Sequence, residues 1–412
     1  MTTLSIRRAV SAAFVLLLAS GLSSRALGQA SAPAAGNSAR TLDVRAENTL
    51  GIARADETVA VSWAAVRQAL STATPATVRV REMASRGEVA SQVVDNDGDG
   101  QLDELIFQAS FFPGESKAFV VEGAAPTTAA KSRVFAMHDE PRDDIAWESD
   151  RIAFRMYGEG LKKTSSAMSS SGVDVWVKSV HALIVDKWYK KGHDAYHVDT
   201  GEGADFFDVG ETLGAGGTAV WRDGKMYRPD NFISYRIIAN GPVRTVFELQ
   251  YPPLDAGGLQ VTETKRISID GGQYFNRAVS IFRVAGNTEV PYAIGLVKRK
   301  GMVGTESKAN QWAWLTGWGP VTPKNGGHGE MGTAVLLPRD RVIDWKENDN
   351  HYFAVASARS GEAVVHYIGA GWTSSGDFRD VSAWWQTLDA TAQRIATPLK
   401  VAVAAGQATA AR

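Results

Sequence analysis

Residues 231–284 read NFISYRIIANGPVRTVFELQYPPLDAGGLQVTETKRISIDGGQYFNRAVSIFRV. Apolar and polar residues alternate through VRTVFELQY, LQVTETKRISID and YFNRAVSIFRV, with Asn-Gly-Pro, Pro-Pro and Asp-Gly-Gly between them. A period of two broken by turn residues predicts antiparallel strands joined by short connections. The pattern continues through YAIGLVKRK, AVLLP, HYFAVASA and AVVHYIGAGW, and ends in a helix near Val381–Leu388. No βα alternation and no P-loop or dinucleotide fingerprint occurs, and the GAGG at 214–217 opens no helix. The fold expected is all-β, an antiparallel β-sandwich with few helices.

Upstream, LDVRAEN, ETVAVSW, ATVRVREM, VASQVVD, ELIFQASF and KAFVVEG repeat the alternation, with a short helix capped by Ser62. They define an N-terminal β-sandwich module over 41–135. At the start, Arg7 and Arg8, an apolar run from Ala9 to Leu18 and small residues form a secretory signal peptide over 1–30. A flexible Ala/Ser/Pro linker over 31–40 follows, and the Ala-rich 401–412 reads as a flexible tail. The chain has no cysteine, which excludes an acylated lipoprotein, disulfides and thiolate metal sites. A periplasmic or secreted protein is expected. The net charge is −1 with mixed signs, so no nucleic-acid partner and no membrane insertion is expected.

The stretch 185–217, VDKWYKKGHDAYHVDTGEGADFFDVGETLGAGG, shows no clear period and is expected to be a long ordered loop. It gathers His193, His197, Tyr189, Tyr196 and Lys190, the mixture that acid–base chemistry requires. A zinc site at His193 and His197 lacks its helical context. In DDIAWESDRIAFRMY, Arg151 and Arg155 share one strand face and could grip a planar carboxylate, or form ordinary salt bridges. Among twelve tryptophans, Trp312 lies in a Gly-rich segment that also carries His328, and exposed aromatic rings suit sugars. His138, His181, His351 and His366 lie on or beside strands and read as packed. In DNDGDGQLDE, Asp95, Asp97, Asp99 and Asp103 stand at calcium-loop spacing; a structural Ca²⁺ site and an acidic turn that binds none both remain open. No organic cofactor is expected.

The strings DDIAWESDRIAFRMYGE, NGPVRTVFELQY, HYIGAGWTSSGDF and DNDGDGQLDELIFQ resemble the DUF4861 family of exported bacterial proteins, over almost all of the chain beyond the signal peptide. The resemblance implies a galactose-mutarotase-like β-supersandwich over 136–400 and kinship with exo-rhamnogalacturonan-lyase-like proteins. It implies action on uronic-acid-containing oligosaccharides. β-Elimination would use His193 or His197 as base, Tyr189 or Tyr196 as acid, and Arg151, Arg155 and Lys190 on the carboxylate, with Trp312 and His328 lining the site. A glycoside hydrolase using carboxylates from Asp199, Glu202, Asp205, Asp208 and Glu211, an aldose epimerase, and a non-catalytic carbohydrate-binding protein are the alternatives.

Overall fold

The computed structural model describes residues 40–164, 171–207, 209–286, 288–322 and 326–407. The expected signal peptide and most of the linker lie outside the described residues, as does Asp208. The architecture is mostly antiparallel β, organised into sandwich-like sheets with few short helices. The stretch 231–284 forms the heart of a nine-stranded sheet. Its strands Arg244–Gln250, Gln260–Asp270 and Phe275–Arg283 pair in sequence, with Phe247 opposite Ile267 and Ile267 opposite Ala278. Ala363–Trp372, Glu330–Pro338, Trp312–Pro320 and Val303–Ser307 extend it on one side and Ser234–Asn240 on the other.

Two five-stranded sheets cover one face of this sheet. One contains Asp144–Ser149, Ala153–Tyr157 and Asp174–Lys178; its Trp147 and Phe154 pack with Phe247, Ile267 and Ile368. The other contains Ala215–Arg222, Glu289–Val297 and His351–Arg359; its Ile294, Leu296 and Ala354 pack with Phe282, Leu315 and Val335. On the opposite face lies the helix Val381–Ala396, longer than the sequence pattern indicated. Asp380 caps it by accepting from the Ala383 amide, and its Trp384 and Leu388 bury against Phe275, Trp314, Trp318 and Leu336.

Toward the N-terminus, a five-stranded and a three-stranded sheet enclose Val44, Val59, Phe107 and Phe119. The helix Trp63–Ala69 caps this core, with Ser62 Oγ accepting from Ala65. The expected flexible tail is corrected here. Lys400–Gln407 is a strand paired along its length with Arg40–Glu47, from Arg40 opposite Gln407 to Glu47 opposite Lys400. Its alanines carry little β signal; the open edge of Arg40–Glu47 supplies the hydrogen bonds that order it. Among the described residues no helix is long and apolar enough to cross a membrane.

Candidate active site

The segment expected as a loop after Asp174–Lys178 is a packed layer. Val185–Lys191 is a helix, Ala195–His197 a 3₁₀ turn, and Gly203–Ala204 a strand that pairs with Asp174–Lys178. Val185, Trp188 and Tyr189 stand at helical spacing on its buried face, a short periodicity masked by the lysines around it. Gly192, at φ 94°, ends the helix before His193. Trp188 and Tyr196 stack on Trp176 at 5.7 and 4.6 Å between ring centroids.

Beneath this layer lies Arg155. Its guanidinium donates to Asp174 (2.8 Å), Asp205 (2.8 Å), the Tyr157 hydroxyl (2.9 Å) and the Tyr196 hydroxyl (2.9 Å). Tyr189 donates to Asp144 at 3.2 Å, and His197 Nε2 lies 3.2 Å from Asp205. Thus Arg155, Tyr189, Tyr196 and His197 do meet. The strand face expected to bind a substrate carboxylate is buried, however, and the Arg155 fork is taken by the protein's own carboxylates. Burial pushes Asp144 up to about 6 against the opposing charge of Arg155. Asp174 is pushed up by burial and then by Asp205, against two contacts from Arg155. Burial lowers the His197 pKa, but the Asp205 hydrogen bond and charge outweigh it and leave it raised.

A second cluster gathers from four separate segments. Arg151 stands in the turn after Asp144–Ser149, and His181 follows Asp174–Lys178. Tyr274 precedes Phe275–Arg283, and Asp377 follows Ala363–Trp372. Tyr274 donates to Asp377, His181 Nε2 lies 3.0 Å from the same carboxylate oxygen, and Arg151 Nη1 lies 3.3 Å from it. Arg151 Nη1 is also 2.7 Å from His181 Nε2 and 3.0 Å from Nδ1. With the Nε2 proton directed at Asp377, Nδ1 is the acceptor that faces Arg151 Nη1. Burial tends to raise the Asp377 pKa, but hydrogen bonds from Tyr274 and His181 and the charge of Arg151 lower it overall. Burial, then the bond to Asp377, raises Tyr274. Arg151 Nε is buried with no hydrogen-bond partner.

A buried strut sets the cluster. Lys178 Nζ donates to Glu148 (2.5 Å), the Ser149 carbonyl (2.6 Å) and the Ala182 carbonyl (2.8 Å). It thereby ties the turn bearing Arg151 to the segment bearing His181. Glu148 accepts the Ile184 and Val185 amides at 2.9 Å, and Ser149 Oγ accepts the Arg151 amide at 3.1 Å.

The remaining candidates are dispersed. His193 is exposed, 4.7 Å ring to ring from His197. Lys190 is exposed and pairs with Asp186 at 2.6 Å. Trp312 is half-buried, edge-on to Tyr367 at 5.3 Å. His328 is exposed on its loop, 5.1 Å from the Trp372 ring. Glu202 pairs with Lys187, and Asp199 caps the Gly201 and Gly203 amides. Asp95, Asp97 and Asp99 each place a carboxylate oxygen within 4.8 Å of the others, a spacing that fits a cation. Asp103 lies outside that group and accepts the Asn96 amide at 2.7 Å. Sequence reasoning missed Tyr274 and Asp377 and set His181 aside. No local pattern marks them, because only the fold brings them to Arg151.

The chain is therefore an antiparallel β protein with two chemically dense clusters on one small sheet and its neighbours. It belongs to the family described as a domain of unknown function, DUF4861, which matches residues 46–401. It is 30% identical over 379 residues to the uncharacterized protein P7 of Formosa agariphila, covering 87% of this chain and 93% of that protein. Two solved structures from Enterococcus faecalis are similar at low identity. An alpha-mannosidase matches with TM-score 0.47 and 10% identity over 90% of this chain and 46% of that one. A glycosyl hydrolase family 38 protein matches with TM-score 0.49 and 11% identity over 92% of this chain and 49% of that one. The chain thus spans about half the length of both.

Proposed function

We propose that this protein is an exported carbohydrate-active enzyme that acts on uronic-acid-containing oligosaccharides by β-elimination. The observation that carries the reading is the convergence of Arg151, His181 and Tyr274 on the Asp377 carboxylate. Elimination requires a cation on the uronate carboxylate, a base for the proton at C5 and an acid for the oxygen leaving C4. Arg151, partly exposed and held by Asp377 only at 3.3 Å, takes the carboxylate and stabilises the charge that develops on it. As the substrate carboxylate draws Arg151 Nη1 from it, His181 Nδ1 takes the C5 proton. The C4–O4 bond breaks as the C4=C5 bond forms, and Tyr274 protonates O4. Asp377, bonded to both His181 and Tyr274, takes the Nε2 proton of the imidazolium and passes it to the tyrosinate; His181 is then protonated at Nδ1, and exchange of that proton with water restores the starting tautomer.

Compared with the loop histidines expected from sequence, this cluster has an arginine that is partly exposed and loosely held, whereas Arg155 is buried and committed to Asp174 and Asp205. In the same reading, the Asp95, Asp97 and Asp99 group holds a structural Ca²⁺ ion. The test is incubation of purified protein with uronate oligosaccharides, followed by near-ultraviolet absorbance of the unsaturated product. Absorbance that appears with wild type and is lost in His181→Ala and Tyr274→Phe supports elimination. New reducing ends without absorbance would make it a hydrolase, altered anomer or epimer ratios an epimerase, and binding without turnover a carbohydrate-binding protein.

A further inference from the structure

The outer face of the nine-stranded sheet carries a groove that the cluster does not use. A cavity of 810 Å³ lies among that face, the N-terminal strands and the C-terminal helix. A second, of 440 Å³, continues it and shares Arg277, Tyr367 and Ile395 with it. Both volumes lie within the range of small-molecule sites, and together they suit an extended ligand.

Four other arginines line the groove, and each has a carboxylate partner. Arg244 grips Asp270 through two nitrogens at 2.6 and 2.8 Å. Arg266 meets Glu248 at 2.8 Å, Arg341 meets Glu362 at 2.9 Å, and Arg394 meets Glu57 at 3.6 Å. Arg277 differs. It is exposed where the cavities join, beside the Tyr367 hydroxyl, and no described carboxylate lies within ion-pair distance of it. Nearby, Arg266 Nε is buried with no hydrogen-bond partner. Tyr367 and Trp312 meet edge-to-face at 80°, which gives the groove an aromatic wall next to the unpaired cation. An uncompensated guanidinium beside aromatic rings fits a sugar ring that bears an anionic group.

We propose that this groove binds an acidic oligosaccharide, with Arg277 on a carboxylate or sulfate group and Trp312 and Tyr367 against a sugar face. Gln273 and Phe275, the two neighbours of Tyr274, are among the residues that line it. The groove thus borders the segment that carries Tyr274, and a chain held here gains binding outside the Arg151 cluster. The proposal rests on the reading that the protein acts on acidic glycans; it does not depend on which residues perform the chemistry.

The test uses full-length His181→Ala protein, to separate binding from turnover, and the same protein carrying Arg277→Ala, Arg277→Gln or Trp312→Ala. Titration calorimetry measures affinity for oligogalacturonate, oligomannuronate, oligoglucuronate, sulfated galactan oligosaccharides and neutral glucan oligosaccharides. The expected result is binding of at least one acidic probe, weakened about tenfold or more by both Arg277 substitutions and by Trp312→Ala. Raised salt should weaken it as well, and the neutral glucan should not bind. Which acidic probe binds tells carboxylate from sulfate. Equal affinity of the Arg277 variants, equal binding of the neutral glucan, or no binding by any acidic probe overturns the proposal. Arg277-dependent binding, with no unsaturated product from wild type on any probe, upholds the groove and removes the elimination reading.

Discussion

Asp144→Asn isolates the electrostatic cost of the carboxylate cluster under the 185–198 layer. Asp144 is almost fully buried, its Oδ1 has no hydrogen-bond partner, and its nearest cation, Arg155, is 3.8 Å away. Burial pushes its pKa up to about 6 from the ordinary aspartate value of 3.8. The folded state therefore holds a proton that the unfolded state releases between these values. Stability contributed by this group is full below the unfolded pKa and falls as pH rises through the folded one. Two pKa units correspond to roughly 3 kcal/mol at about 1.4 kcal/mol per unit. Asparagine cannot ionise, so the variant lacks this slope whatever constant offset its packing adds. Urea unfolding of both proteins from pH 4 to 8 should show the variant gaining on wild type by about 2.5 kcal/mol across the range, chiefly between pH 4 and 6.5. A difference that stays constant within about 0.5 kcal/mol, or that moves the other way, would refute the argument. It would mean that water or a shift of Arg155 relieves the buried charge.

Lys178→Met leaves Glu148 buried without its cation and should cost about 3–5 kcal/mol in denaturant unfolding. Because Lys178 ties the segments of Arg151 and His181, any folded fraction should also show a lowered kcat; an unimpaired kcat in folded protein would remove its positioning role. His181→Ala should lower kcat by roughly 10²–10⁴-fold with little change in KM, read by ultraviolet absorbance. Arg151→Ala should cost on the order of 2–5 kcal/mol in kcat/KM, and Arg151→Lys should restore little of it. If Ca²⁺ holds Asp95, Asp97 and Asp99 together, chelation should lower Tm, and an unchanged melting curve in EDTA would count against the ion. Deletion of residues 400–412 should destabilise the N-terminal sheets by exposing the Arg40–Glu47 edge, and an unaltered unfolding midpoint would contradict that.

Arg151 and Arg155 show why the fold was legible and the site only partly so. Alternation in Gln260–Asp270 and Phe275–Arg283 is a local property, and it translates directly into paired strands with apolar residues inward. The same alternation placed both arginines on one face of one strand. What it could not supply is the layer above that face. Val185–Lys191 and Ala195–His197 cover Arg155 and bring Asp205 to it, while Arg151 lies in the turn where the cover ends. The two side chains, four positions apart, thus have opposite fates. One is a buried counter-ion whose donors are used, and the other keeps a free Nε beside a histidine, a tyrosine and an aspartate. Those three partners come from residues 181, 274 and 377, and no spacing rule links positions so far apart in sequence. Only strand order does: Phe275–Arg283 pairs with Ala363–Trp372, so the residue before the first and the loop after the second emerge together. Lys178 then fixes the other half by bonding to Ser149 and Ala182. The cluster depends on sheet register, and a shift in that pairing would separate Tyr274 from Asp377 without altering a single local motif.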